Sequence, residues 1–191
     1  MLGESQNWWN FNAFIEKPLL WLGAGFALMA AIYTAFLFAQ AEGRDLWQSP
    51  LLPFHLIVQA IMAGSGMILL LNAISGLIGS GFDVAFGRFA LIAFISSIIV
   101  DVFITLAGEF GIPHASEVAA SAAHMISHGK YKTHFWMHSL VIGHGAALLF
   151  ALADLIGGTT LFAAVGAICA IFGLYMFEYA FVMAPQEIPN S

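Results

Sequence analysis

Ile98–Glu109, IIVDVFITLAGE, is an apolar stretch that nevertheless carries two carboxylates, Asp101 and Glu109. Asp101, Thr105 and Glu109 are spaced i, i+4, i+8, so a helix presents them as one polar stripe. What the stripe means depends on whether the run crosses a membrane, and composition answers that. The chain has 191 residues, of which 61% are hydrophobic and 8% charged, and its mean hydropathy is +0.90. A soluble domain is normally about a quarter charged. The reading is therefore all-α: a polytopic transmembrane helix bundle. A carboxylate kept inside hydrocarbon is costly, which makes the stripe a candidate for moving protons or ions.

Five apolar runs of bilayer-crossing length organise the chain. They are about Leu19–Gln40, Phe54–Ile78, Ala85–Gly108, His134–Leu155 and Thr160–Met183. A charged turn, Glu42–Asp45, closes the first, and Pro50 and Pro53 lead into the second. Between the third and fourth lies a longer polar segment. Its first part, Ala115–His128, reads as one short interfacial helix with Ser116 as N-cap. Residues 1–17 form an interfacial segment in which Trp8, Trp9, Phe11 and Phe14 mix with polar groups. They lack the basic start and small-residue cleavage site of a signal peptide. The bundle then occupies residues 18–184, with a tail at 185–191. The single cysteine, Cys169, excludes an internal disulfide. No nucleotide-binding glycine fingerprint is present, and small residues such as Gly23, Gly25, Gly64, Gly66, Gly143, Gly145, Gly166 and Gly173 suit close helix contacts.

An odd number of spans puts the termini on opposite sides, here side A (N-terminal) and side B (C-terminal). Side B carries Arg44, Lys130 and Lys132 against Lys17 and Arg88 on side A, which points to a cytoplasmic C-terminus. Alternating directions also assign depth. Tyr33, His55, Gln59, Asp101, Thr105, His134, His138, Tyr175, Glu178 and Tyr179 all fall in the side B half, and His144 reaches mid-depth. Each span is thus expected to contribute a polar face to one leaflet. Asp101 and Glu178 carry the most weight, because a carboxylate below the interface must pair, protonate or face water. His144 suits a proton relay or a hydrogen bond to a quinone head group. His55 and His138 lie at similar depth, so haem ligation is an alternative. The i, i+4 pair His124 and His128 suits zinc only if further ligands exist.

Several stretches, in order, resemble the NrfD/polysulfide-reductase membrane-subunit family. They are Tyr33-Thr34, Leu46-Trp47-Gln48-Ser49-Pro50-Leu51-Leu52-Pro53 and Ala63-Gly64-Ser65-Gly66. His128-Gly129-Lys130-Tyr131 with Phe135-Trp136 and Gly143 follows, and Val182-Met183-Ala184-Pro185-Gln186 through Pro189 closes the series. The resemblance runs from about Lys17 onward and corresponds to the C-terminal half of a family member. Pro185 stands where the family has Gly, Glu178 where an Arg is frequent, and the helix after Gly143 lacks the usual Pro.

The resemblance implies a membrane subunit exchanging electrons between a quinone (menaquinone or ubiquinone) and an extrinsic iron–sulfur subunit. A molybdopterin or multihaem catalytic subunit would complete the complex, and further membrane helices would supply the missing N-terminal half. It also implies no haem or iron–sulfur cluster in this chain. The expectation is a quinone-interacting, non-catalytic subunit of a respiratory or photosynthetic complex in the inner membrane of a bacterium or archaeon. Its proton pathway would use Glu109 and His138 at the mouth, Asp101 and Glu178 below, and His144 toward the centre. Tyr33, His55, Gln59 and His144 would bind quinone. The alternatives are a structural or split half without chemistry, and a b-haem electron carrier.

Overall fold

A computed structural model describes residues 13–189, and these are helical almost throughout. Helix α1 is Ala13–Ala39, α2 Leu52–Leu77, α3 Val84–Phe103, α4 Glu117–Ser127, α5 Ala147–Gly157 and α6 Thr160–Glu187. Two π-helical stretches extend this set: Ile104–Glu109 continues α3, and His134–Ala146 leads into α5. Joined in this way, the helices give five segments long and apolar enough to cross a membrane. The expected spans are present, and Ala13–Lys17 continues α1 instead of forming a separate lead-in. The aromatic lead-in at Trp8, Trp9 and Phe11 lies outside the described residues.

Helix α6 is the axis of the bundle. It packs against α2, α4, α5 and the π-helical stretch before α5, whereas α1 touches chiefly α2. The tightest contact is between backbones. A Cβ placed on Gly143 would come within 2.5 Å of the Gly173 Cα, so only glycine at both positions allows this approach. Gly166 similarly meets the Ala147 carbonyl, and Gly66 meets Phe94 and Ala167. Gly23, Gly25 and Gly64, read alike from sequence, have nothing within 4 Å of a Cβ. These three sit on outward surfaces and make no close contact within the chain.

On side B, short elements brace the spans. Ser116 Oγ accepts the Ala119 N–H at 3.1 Å, which caps α4 as expected. Helix α4 buries Ala119, Ala122, Ala123 and Ile126 against the side B core, its polar face outward. The Leu46–Pro53 stretch also has a mechanical role. Pro185 has no N–H to give the carbonyl of Phe181 four residues earlier, and Trp47 Nε1–H donates to that carbonyl instead, at 3.0 Å. The Trp47 ring rests on Phe38 with centroids 5.0 Å apart. Arg44 donates to the carbonyls of Pro185 and Ile188, which the helix end leaves open. Two distant stretches of sequence thereby lock the start of α2 to the end of α6.

Apolar burial falls into two clusters. One, on side B, centres on Phe135, Ile126, Phe177 and Phe181. The other, toward side A, centres on Met62, Phe94, Ile98 and Ala167. Along α2, α3 and the His134–Gly157 span, the buried polar residues His55, Gln59, Asp101 and His144 lie where one cluster gives way to the other.

Candidate functional site

At that junction, three helical segments bring His55, Asp101 and His144 together, each buried, with Asp101 only 1% exposed. The Asp101 carboxylate stands between two imidazoles. Its Oδ2 is 2.7 Å from His144 Nε2 and its Oδ1 is 3.0 Å from His55 Nε2. Asp101 is eight residues, about 12 Å at 1.5 Å per residue, from the side B end of its span at Glu109. Water does not reach it directly, so the imidazoles are its means of charge compensation.

The protonation of His144 follows from geometry. Its Nδ1 is 2.9 Å from the Ser139 carbonyl oxygen. A carbonyl only accepts, so Nδ1 carries a proton and donates it. Nε2 then faces Asp101 either as an imidazolium N–H toward a carboxylate or as a bare nitrogen receiving a proton from a carboxylic acid. In both arrangements the pair holds one proton between Nε2 and Oδ2 and has no net charge. Two bare lone pairs at 2.7 Å would repel, so the proton stays unless another group replaces its effect.

His55 is poised differently. Its single Nε2 has Asp101 Oδ1 at 3.0 Å, the Gln59 amide nitrogen at 3.2 Å and Thr105 Oγ1 at 3.3 Å. With a proton, Nε2 can give to Asp101; without one, it can accept from Gln59 or Thr105. Neither state leaves it without a partner. Asp101 Oδ1 has no aligned hydrogen bond of its own. This edge of the cluster can therefore gain or lose a proton with small adjustments. Glu178, half-buried on α6, lies beside Gln59 and His55. The Phe177 ring packs on His55 with centroids 5.2 Å apart.

Thr105 and Glu109 complete the stripe, but they lie in the π-helical turn that follows Asp101. Thr105 is 1% and Glu109 5% exposed, so Glu109 is buried and not at the surface. Ser49 Oγ donates to Glu109 Oε1 at 3.0 Å. Glu109 lines a cavity of about 510 Å³ together with Ser49, Gln48, Asp45, His114 and Ser116. This opening on side B comes within two helical turns of Asp101. π-Helical turns recur at functional sites because they re-aim side chains relative to an α-helix. Here one leads from Asp101 to Glu109, and the other carries His144 and the Ser139 carbonyl that holds it.

Not every expected residue joins this group. Tyr33 is 61% exposed on the outer surface of α1 and does not meet the cluster, so the first span contributes no polar face to it. His138 faces Phe172 and His134, with centroids 5.7 and 5.6 Å away, instead of Asp101. His124 on α4 and His128 just beyond its end stack with centroids 5.2 Å apart. No group of three His, Cys, Asp or Glu residues suited to a metal occurs among the described residues. Ser139 does not stand out in the sequence, and Ser49 does so only as part of the Leu46–Pro53 motif. Asp154, buried near the side A end of α5, does not stand out there either.

The family model described as "Polysulphide reductase, NrfD" matches residues 1–190, so the match includes the N-terminal residues that the motif resemblance did not reach. No curated protein matches the chain. No solved structure matches it either.

Proposed function

Because this multi-pass membrane protein belongs to the polysulphide reductase NrfD family, we propose that it is the quinone-interacting membrane subunit of a respiratory or photosynthetic electron-transfer complex. Electrons pass between a menaquinone or ubiquinone and an extrinsic iron–sulfur subunit, itself joined to a molybdopterin or multihaem catalytic subunit. The complex sits in the inner membrane of a bacterium or archaeon, with the chain's C-terminus on the cytoplasmic side.

The observation that carries this reading is Asp101 held between His55 and His144, with His144 Nδ1 tied to the Ser139 carbonyl. Oxidation of a quinol releases two protons with two electrons, and its reversal takes them up. A site for that reaction needs groups that accept and deliver protons without exposing charge to lipid. The His144–Asp101 pair holds one proton at zero net charge. His55, whose nitrogen has a partner in either state, exchanges a second one with Glu178, with the Gln59 amide between them as a hydrogen-bond partner. The Glu109 carboxylate connects this region to the side B cavity, where His114 adds another titratable group.

In this reading His55 and Gln59 present polar atoms to the quinone head group, while His144, expected there from sequence, has both ring nitrogens engaged by Ser139 and Asp101 and serves the proton exchange. Asp101, Glu178 and Glu109 carry protons between that group and side B. The exposed Tyr33 belongs to a surface that further membrane helices would cover.

The variant that tests this is Asp101→Asn. The Asn amide can donate to a neutral His144 Nε2, so the bundle assembles, but no proton can be shared between them. Quinone turnover by the assembled complex is expected to fall by roughly 10²-fold or more, the usual weight of a positioned acid–base group. Proton uptake or release per electron should change with it. Unchanged turnover and stoichiometry in an assembled complex would overturn the proposal.

A further inference from the structure

At the opposite end of the bundle a second buried carboxylate stands in another setting. Asp154, 8% exposed, is one turn from the end of α5. One edge of its carboxylate meets the backbone N–H of Ala163 in the first turn of α6, which partly accounts for a charge at this place. The other oxygen, Oδ1, is buried and has no hydrogen-bond partner. Asp154 lines a cavity of about 360 Å³ that Arg88, Asn72 and Thr160 also line. Arg88 is exposed on α3 and is not ion-paired among the described residues. One cavity is thus lined by a carboxyl group and a guanidinium, neither of which forms an ion pair among the described residues.

The cavity wall is built. Asn72 Oδ1 accepts the Phe82 N–H at 3.0 Å, which fixes the turn between α2 and α3. Gly87 makes room for the Asn72 amide, since a Cβ there would lie 3.0 Å from Nδ2. The four polar lining residues all fall within about 8 Å of their helix ends at 1.5 Å per residue. That is the depth of lipid head groups, and the rim continues into strongly exposed apolar side chains, among them Val84 and Ile156.

We propose that this cavity binds the head group of phosphatidylethanolamine. The lipid phosphate meets the Arg88 guanidinium, which suits phosphate oxygens. Its primary ammonium, with N–H groups to donate, meets Asp154. The acyl chains run down the exposed apolar side chains of α3 and α5. A choline head group has no N–H to offer Asp154, and a glycerol head group has no cation, so the charge pair selects among lipids.

The test is lipid retention by the full chain purified with its bound subunits. The sample is incubated with phosphatidylethanolamine, phosphatidylcholine or phosphatidylglycerol vesicles and then read by native mass spectrometry. Phosphatidylethanolamine should be retained about tenfold more than phosphatidylcholine, as expected for one charge-assisted contact. Asp154→Asn should remove that preference, Asp154→Glu should restore most of it, and Arg88→Gln should lower retention of all three lipids. Equal retention of the three by the unaltered protein would overturn the proposal, as would a preference that survives Asp154→Asn. If Arg88 simply closes onto Asp154, either single variant will lower thermal stability without changing retention, and that result also refutes the lipid site.

Discussion

Asp101 and Asp154 are both buried carboxylates in apolar helices, yet their surroundings differ in kind. Asp101 is enclosed by two imidazoles and lies between the two apolar clusters. Asp154 leans on the start of one helix and leaves an oxygen unpaired beside a cavity at the membrane boundary. The first has partners that can themselves carry protons. The second has only a backbone donor, which cannot. Burial of an acid therefore marks a place of interest without saying what happens there, and the partners decide that.

The comparison can be broken from either side. The largest effect is expected from His144→Phe. It removes the group that shares the Asp101 proton and leaves a buried carboxylate with one imidazole. Loss of a buried partner typically costs about 3–5 kcal/mol, so assembly in detergent should weaken visibly in a thermal melt, with quinone turnover lost. Next comes Gly143→Ala, which touches no titratable group. Its new Cβ would stand 2.5 Å from the Gly173 Cα. Over-packing of this kind costs about 1–3 kcal/mol and should displace the neighbouring His144, which a raised KM or lowered turnover would register. If turnover is unchanged while stability falls, the glycine contact braces the bundle without positioning the site.

Asp154→Asn should change turnover far less than Asp101→Asn does, because its partners exchange no protons. Comparable losses in the two variants would erase the distinction between the two acids. The smallest effect belongs to Lys130→Met on side B. Lys130 Nζ lies 2.5 Å from Glu187 Oε1, and Tyr131 OH donates to the same oxygen at 2.6 Å. The contact to Glu187 holds the Lys130 pKa above the usual lysine value, while burial, first, and then Glu187 raise that of Tyr131. A raised lysine pKa stabilises the fold fully below the unfolded value and loses that benefit only as pH rises through the folded one. At neutral pH the pair is intact, but its exposure leaves it a small lever on stability. A slight fall in melting temperature near pH 7 is expected, vanishing in strongly alkaline buffer.

Much of this was legible from sequence for physical reasons. Span number follows from hydrophobic length, and Asp101 and His144 stand out because polar groups in hydrocarbon are costly. The partnership of His55 with Asp101 was not legible, since residues on separate helices meet only once packing is known. The π-helical turns Ile104–Glu109 and His134–Ala146 leave no mark in a 3.6-residue periodicity. They are why Ser139 does not stand out in the sequence and why His138, expected at the mouth of a proton pathway, turns toward Phe172 and His134. Tyr33 reads as a site residue from sequence because lipid-facing and core-facing surfaces of a span are both apolar, so composition does not say which way a helix is turned. Asp154 was passed over because a carboxylate near a helix end looks like an interface residue.

The site turns on one proton shared between His144 and Asp101 while the Ser139 carbonyl holds the other ring nitrogen. Nitrogen NMR of the histidine-labelled protein in lipid bilayers tests it most directly, with a His144 variant to assign the ring. The prediction is that His144 Nδ1 carries a proton, donated to the Ser139 carbonyl. Nε2 should show a shared proton in the unaltered protein and become a pure acceptor in Asp101→Asn. A ring protonated on Nε2 alone, or an Nε2 signal indifferent to Asp101→Asn, would contradict the account.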